Sequence, residues 1–256
     1  MKLEEILDSH KDYNLQGEDF LVLGGDNVFG FDLNRFCDFY REQPLDCNAI
    51  HKAIEPLDSS QYGLAKFDGS GRVTWFREKP MAERVSFVST ACYCLRKSTI
   101  EKVRDYLSSG EKEALGLYIG WLAKQSGIMA FTFEEPWYDV GRREDLLGAN
   151  AMLLRYKETT QRAPDWIDGN ATVVMPVHTE RDATIRNSSI GPCVYIGSRT
   201  MVVESTVENS VVYEDCYIHK CSLRNSIVGP GSEIEGDIAE AVFGPKTRVI
   251  GERQRR

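Results

Sequence analysis

The sequence predicts an α/β domain followed by a parallel β-helix. Two observations define the halves. In the first two thirds, short apolar runs alternate with amphipathic stretches, the pattern of strands and helices in turn. From about Ala171 to Val249, aliphatic residues recur every five or six positions: Ile185, Ile190, Ile196, Val202, Val207, Val212, Ile218, Leu223, Val228 and Ile234. A third observation supports the second. The phrases Asn187-Ser-Ser-Ile190, Asn209-Ser-Val-Val212 and Asn225-Ser-Ile-Val228 repeat, and Gly191-Pro192, Gly197-Ser198 and Gly229-Pro230 follow several of the aliphatic positions. A step near six is neither helical nor a plain strand alternation. It fits coils of three short strands with one inward aliphatic residue per side. Helices of this hexapeptide type are expected to be left-handed, against the usual crossover rule.

The elements follow in order. Met1 to Lys11 is charged and helical in pattern, without the apolar core of a signal peptide. Phe20 to Leu23 reads as a buried strand, and Gly24-Gly25-Asp26-Asn27 as the tight turn ending it. Asp32 is a plausible N-cap for a helix to Tyr40. Ala49 to Ala53 is a strand. Tyr62 to Phe67 and Arg72 to Phe76 are strands joined by the hairpin signal Asp68-Gly-Ser-Gly71, and Glu78-Lys79-Pro80 ends the hairpin. Phe87 to Leu95 is a strand, Ser98 to Leu107 a helix capped by Ser98, and Leu115 to Gln125 another helix. Ile128 to Phe133 is a strand leading into Trp137-Tyr-Asp-Val-Gly141, before a helix over Arg143 to Tyr156. The alternation implies a mostly parallel sheet. Turn residues at Pro164 to Gly169 mark a linker, giving domains 1–163 and 164–256.

Composition narrows the function. With 31 basic and 39 acidic residues the chain carries −8, which argues against nonspecific nucleic-acid or membrane-surface binding. No apolar run approaches the roughly eighteen residues of a membrane span. The seven cysteines are odd in number and scattered, as expected of reduced thiols in a cytoplasmic protein. Strand ends carrying Asp26 and Asp139 could converge on one sheet edge, where two carboxylates suit a divalent ion with oxygen ligands. The alternative is that Asp26 caps its turn and Asp139 ends its strand.

Taken in order, these segments resemble the sugar-phosphate nucleotidyltransferases, also called nucleotide-sugar pyrophosphorylases, that carry a C-terminal hexapeptide β-helix. The resemblance rests on Phe20-Leu-Val-Leu-Gly-Gly-Asp-Asn27, Tyr62-Gly63 with Phe67-Asp68 and Phe76-Arg-Glu-Lys-Pro80, Ser89-Thr-Ala-Cys-Tyr93, and Trp137-Tyr-Asp-Val-Gly141 with the helix behind it. It implies an incomplete Rossmann-like nucleotidyltransferase domain before a left-handed parallel β-helix. It also implies a reaction: a sugar 1-phosphate attacks the α-phosphorus of a nucleoside triphosphate, and pyrophosphate leaves. Asp26 and Asp139 would hold Mg²⁺. Lys79 would pair with the sugar phosphate, Glu78 would accept from sugar hydroxyls, Gly63 would allow close approach, and Thr90 lies in the substrate-binding set. The Gly25-Asp26-Asn27 phrase leans to the glucose-1-phosphate thymidylyltransferase-like branch, with dTTP as donor.

The departures bear on activity. The family's Gly-rich, triphosphate-cradling loop has no counterpart before Phe20, and Ala91 stands where the family usually has glycine. The expectation is therefore impaired transfer by this chain alone, as a fragment, a split protein or a degenerate paralogue. The alternative function is a noncatalytic sugar-phosphate-binding or regulatory subunit, complexed with a complete homologue or self-associated through the β-helix. A third class places acyl transfer on the β-helix, where His178 and His219 are the candidate bases.

Overall fold

The computed structural model describes residues 18–81, 84–110, 114–157 and 170–250. The amino-terminal helical pattern, the 164–169 linker with the domain boundary beside it, and the arginine tail at 253–256 lie outside these residues. The chain divides into two compact units, Met1–Trp137 and Tyr138–Arg256.

The first unit is built on one sheet. Its strands are β1 (Phe20–Leu23), β3 (Asp46–Asp58), β4 (Gly63–Phe67), β5 (Val73–Glu78), β6 (Arg84–Leu95) and β7 (Ile128–Phe133), with a short β2 at Asn27–Phe29. The order is β5-β4-β6-β3-β7, with β1 also on β6. The sheet is mixed rather than mostly parallel. Only β3–β7 is a parallel pair; β1–β6, β3–β6, β4–β6 and β4–β5 are antiparallel. The reason is β6, twelve residues long, which runs against its neighbours on both sides. Because β1 and β3 both oppose β6, and β7 follows β3, the carboxyl ends of β1, β3 and β7 share one edge.

Helices cover both faces. Helix α1 (Leu33–Glu42) starts at Asp32, whose carboxylate accepts from Asn34 N, and buries Phe36 and Tyr40 against Cys47, Ala49 and Phe133. On the other face, α4 (Leu115–Gln125) buries Tyr118, Ile119 and Leu122 with Ile50, Val73 and Phe76. The hairpin turn forms as expected: Asp68 Oδ1 accepts from Ser70 N at 2.9 Å and Arg72 N at 3.1 Å. The helix expected over Ser98–Leu107 is instead two short ones, α2 (Lys97–Glu101) and α3 (Val103–Ser108). Its cap is not Ser98. The buried carboxylate of Asp46, on β3, accepts from Arg96 N and Thr99 Oγ1, both at 2.7 Å. Asp46 thus ties down the residue before the helix and a hydroxyl within it, while Lys97 N donates to Asp19 Oδ1 at 3.0 Å; bonds from distant elements leave no local sequence signature.

The second unit begins with the last residues of β8 (Trp137–Asp139) and α5 (Arg143–Lys157) and continues as a parallel β-helix of about five coils. Leu147 of α5 packs on Val211 and Ile227, and Asn150 Nδ2 donates to Cys193 O at 3.2 Å. All ten aliphatic positions named from the sequence point inward, each no more than 2% exposed. Three corners repeat. Positive-φ residues stack in columns: Asn187, Glu204, Lys220 and Gly236; Cys193, Asn209, Asn225 and Glu240; Arg199, Asp215, Gly231 and Lys246. After several of these sits a buried hydroxyl that accepts the backbone N–H of the next coil. Ser205 N donates to Ser188 Oγ at 3.1 Å, Cys221 N to Ser205 Oγ at 3.0 Å, Ser226 N to Ser210 Oγ at 3.1 Å, and Cys216 N to Thr200 Oγ1 at 3.1 Å. The Asn-Ser phrases are these corners: asparagine tolerates positive φ and serine bridges the coils. Among the described residues, no helix is long and apolar enough to cross a membrane.

Candidate functional site

The sheet of the first unit opens at one place. Along one side of β6, β4 pairs at Ser89 through Gly63, and β1 pairs from Cys92 through Leu23. Thr90 and Ala91 lie between, where β6 changes partner. Such partner changes are where α/β sheets admit ligands. Gly24 N donates to Ala91 O at 3.0 Å and starts the turn that carries Asp26. Ala91 has φ +53°. This explains why a glycine suits the position, since an L-residue there costs about 1–2 kcal/mol.

The sequence-picked residues of this unit cluster around the gap, with one qualification. Asp26 is exposed on its turn and accepts from Asn27 Nδ2 at 2.9 Å. Asn27 Oδ1 accepts from Trp137 Nε1 at 2.7 Å. The Trp137 ring meets Tyr62 edge-on at 5.3 Å and packs on His51 at 5.7 Å. The Tyr62 carbonyl accepts from Lys79 N at 3.0 Å, and Gly63 pairs with Glu78. Lys79 is exposed with φ +41°, squeezed between Glu78 and Pro80. Positive φ on a lysine before proline is strained backbone of the kind that concentrates at functional sites. Glu78 is half-buried, and burial pushes its carboxyl above the usual range, with Lys79 opposing. A Cβ on Gly63 would come 2.8 Å from Glu78 Oε2, and one on Gly116 2.1 Å, so two glycines make the slot for this carboxylate. A cavity of about 380 Å³ lies beside it, between Phe76, Gly116 and Trp121. The qualification is Thr90. It is 1% exposed, and its hydroxyl donates to Ala49 O at 3.0 Å, which gives it a part in the β3–β6 pairing.

Asp139 belongs to the second unit, two residues beyond Trp137 along β8. It is half-buried, and its carbonyl accepts from Gly141 N at 2.8 Å. A Cβ on Gly148 would fall 2.5 Å from the Tyr138 ring, so the glycine lets α5 close on this strand. His178 stacks on Tyr195 at 5.6 Å beside Glu180, and His219 stacks on Tyr217 at 5.6 Å in a different sheet of the β-helix.

Two residues escaped the sequence reading. His51 is 9% exposed, and among the described residues its Nδ1 has no hydrogen-bond partner; burial lowers its pKa. Nothing in a single histidine within a strand signals this. In the sequence Trp137 is only the first residue of the Trp-Tyr-Asp-Val-Gly phrase, yet its indole donor reaches Asn27. A larger open cavity of about 760 Å³, lined by Arg35, Lys52, Phe87 and Glu134, has its rim charges already matched by the Arg35–Glu135 and Lys52–Glu134 pairs.

Comparison with known proteins places this architecture. The family model described as nucleotidyl transferase matches residues 2–155, more than half the chain, and the chain belongs to that family. The chain is similar to a glucose-1-phosphate adenylyltransferase of Clostridium perfringens, 25% identical over 84% of this chain and 55% of that protein. One from Acetivibrio thermocellus is 23% identical over 91% of this chain and 62% of that protein. The chain therefore spans about three-fifths of the length of these relatives. A solved Bacillus anthracis protein, assigned as a glucose-1-phosphate thymidylyltransferase and crystallised with sucrose, covers 58% of this chain and 59% of its own at 20% identity and TM-score 0.49.

Proposed function

We propose that this chain serves nucleotidyl transfer to a sugar 1-phosphate, with the gap in the first unit as the sugar-phosphate site. The observation that carries the reading is the pair Glu78-Lys79 at that gap. A desolvated carboxylate held between two glycines sits next to a strained, exposed lysine. The carboxylate can accept from sugar hydroxyls and the ammonium can pair with a phosphate. Phosphoryl transfer needs mainly alignment and cationic stabilisation of the phosphoryl oxygens. Lys79 supplies one positive charge.

Mg²⁺ supplies the other in this reading, with Asp26 and, by resemblance, Asp139 as its carboxylate ligands. The residues fit the ion. Asp26 is an exposed oxygen donor on a turn, and Mg²⁺ characteristically takes one or two carboxylates together with substrate phosphates. Among the described residues no group of three or more metal-binding side chains forms a cage, in keeping with such a shared site. The relatives' names favour glucose 1-phosphate as acceptor and ATP as donor; dTTP is the donor favoured by the turn sequence.

The test is pyrophosphate release from ATP, and in parallel dTTP, with glucose 1-phosphate and Mg²⁺. Asp26→Ala and Asp139→Ala should each abolish release, and Lys79→Ala should raise KM for the sugar phosphate. Release that survives both aspartate changes removes the metal assignment. A second reading, a binding subunit without turnover, is favoured by the Ala91 methyl, which stands in the gap against Gly24. It predicts glucose 1-phosphate binding that Lys79→Ala destroys, with no pyrophosphate release.

A further inference from the structure

We propose that Trp137 is a positioning residue that sets the Asp26 carboxylate through Asn27. The inference rests on the metal reading of Asp26 given above. It starts from the direction of one hydrogen bond. An indole N–H can only donate, so the atom of Asn27 that it meets at 2.7 Å must be the amide oxygen. The amide is thereby fixed in one of its two orientations. Its NH₂ group must then face the turn, and it does, donating to Asp26 Oδ1 at 2.9 Å and reaching Gly24 O at 3.4 Å. Without Trp137 the amide could flip and turn its oxygen on the carboxylate.

Two further features show that the relay is held. A Cβ on Gly24 would come 2.5 Å from Asn27 Nδ2, so this turn leaves room for the amide by omitting a side chain. The indole is itself braced by His51 on β3 and by Tyr62, whose carbonyl takes the Lys79 N–H. One ring therefore touches the supports of both Asp26 and Lys79. Groups that orient a ligand in this way commonly change metal affinity by roughly 10–100-fold when removed.

The experiment is Mn²⁺ binding to the full chain, followed by electron paramagnetic resonance, in wild type, Asp26→Asn, Asn27→Ala, Trp137→Phe and the Asn27→Ala/Trp137→Phe double variant. Phenylalanine keeps the ring and deletes the donor; Asn27→Ala breaks the same link on an open turn and carries the test if Trp137→Phe does not fold. Asp26→Asn should abolish binding. Each single variant should weaken it about tenfold, and the double variant no further, since both cut one chain. The Trp137 indole N–H resonance should also shift in Asn27→Ala. If Asp26→Asn abolishes binding while Asn27→Ala binds Mn²⁺ as wild type does, the relay is overturned and the nucleotidyl-transfer reading stands. If wild type binds no better than Asp26→Asn, the metal assignment falls, and the relay with it.

Discussion

The two units store backbone strain in opposite ways. In the β-helix, positive-φ residues recur coil after coil in three columns, and buried hydroxyls at several of these corners accept N–H groups from the next coil. There the strained conformation is a building rule. In the first unit the described non-glycine residues with positive φ are Lys79 and Ala91, and both border the gap in the sheet. Among the described residues, the buried side-chain atoms without a hydrogen-bond partner are Asn48 Nδ2, His51 Nδ1 and Arg96 Nε in the first unit and Thr179 Oγ1 in the second. Repeated, satisfied strain belongs to architecture. Isolated strain is of the kind that concentrates at functional sites.

The sharpest way to break this contrast is to disturb a corner. Ser210→Ala strips the Ser226 N–H of its acceptor in a fully buried position, and should cost about 1–3 kcal/mol in urea unfolding followed by circular dichroism. A negligible loss would mean the ladder is decorative. A smaller effect should appear at His51. Burial lowers its pKa from 6.5, so the folded chain holds it neutral while the unfolded chain takes up a proton below about 6.5. Stability is complete above that value and is lost as pH falls through the folded pKa. His51→Phe, which keeps the aromatic packing, should remove this part of the loss. The gap in urea midpoint between the two proteins should therefore move in favour of the variant from pH 7 to pH 5. A constant gap would refute the neutral-histidine reading. The smallest effect is expected for Ala91→Gly. Relief of about 1–2 kcal/mol at φ +53° is largely offset by the roughly 0.4–1 kcal/mol of extra chain entropy, so stability should rise slightly. A clear loss would show that the methyl is needed there.

How far each unit could be read in advance follows from the same contrast. The β-helix column was legible residue by residue, because every inward position is fixed by its own neighbours and repeated ten times. The sheet was legible as elements but not as pairings. Nothing local in Phe87–Leu95 shows that it runs antiparallel to strands on both sides, and nothing in Ser98 shows that Asp46 and Asp19 hold the start of its helix instead. Of the candidate site, Asp26, Gly63, Glu78 and Lys79 were legible by resemblance and do gather around one gap. Thr90 lies in the same gap, buried, with its hydroxyl donating to Ala49 O of β3. The bond from Trp137 to Asn27 spans 110 positions, a separation that no pattern in one sequence records.

The corner columns also bear on how this chain can change over generations. Successive partners along one face of the β-helix lie 17, 16 and then 15 residues apart, from Ser189 to Thr206, Ser222 and Asp237. Each change is absorbed at a corner: from 17 to 16 between Ile190 and Tyr195, and from 16 to 15 between Ile218 and Cys221, where pairing shifts and then resumes in step. In the sheet of the first unit a one-residue slip would turn every following side chain to the wrong face. In the β-helix a single inserted or deleted codon at a corner is confined to one coil. That half of the gene can lengthen, shorten or duplicate by coils while the other half is held to its register.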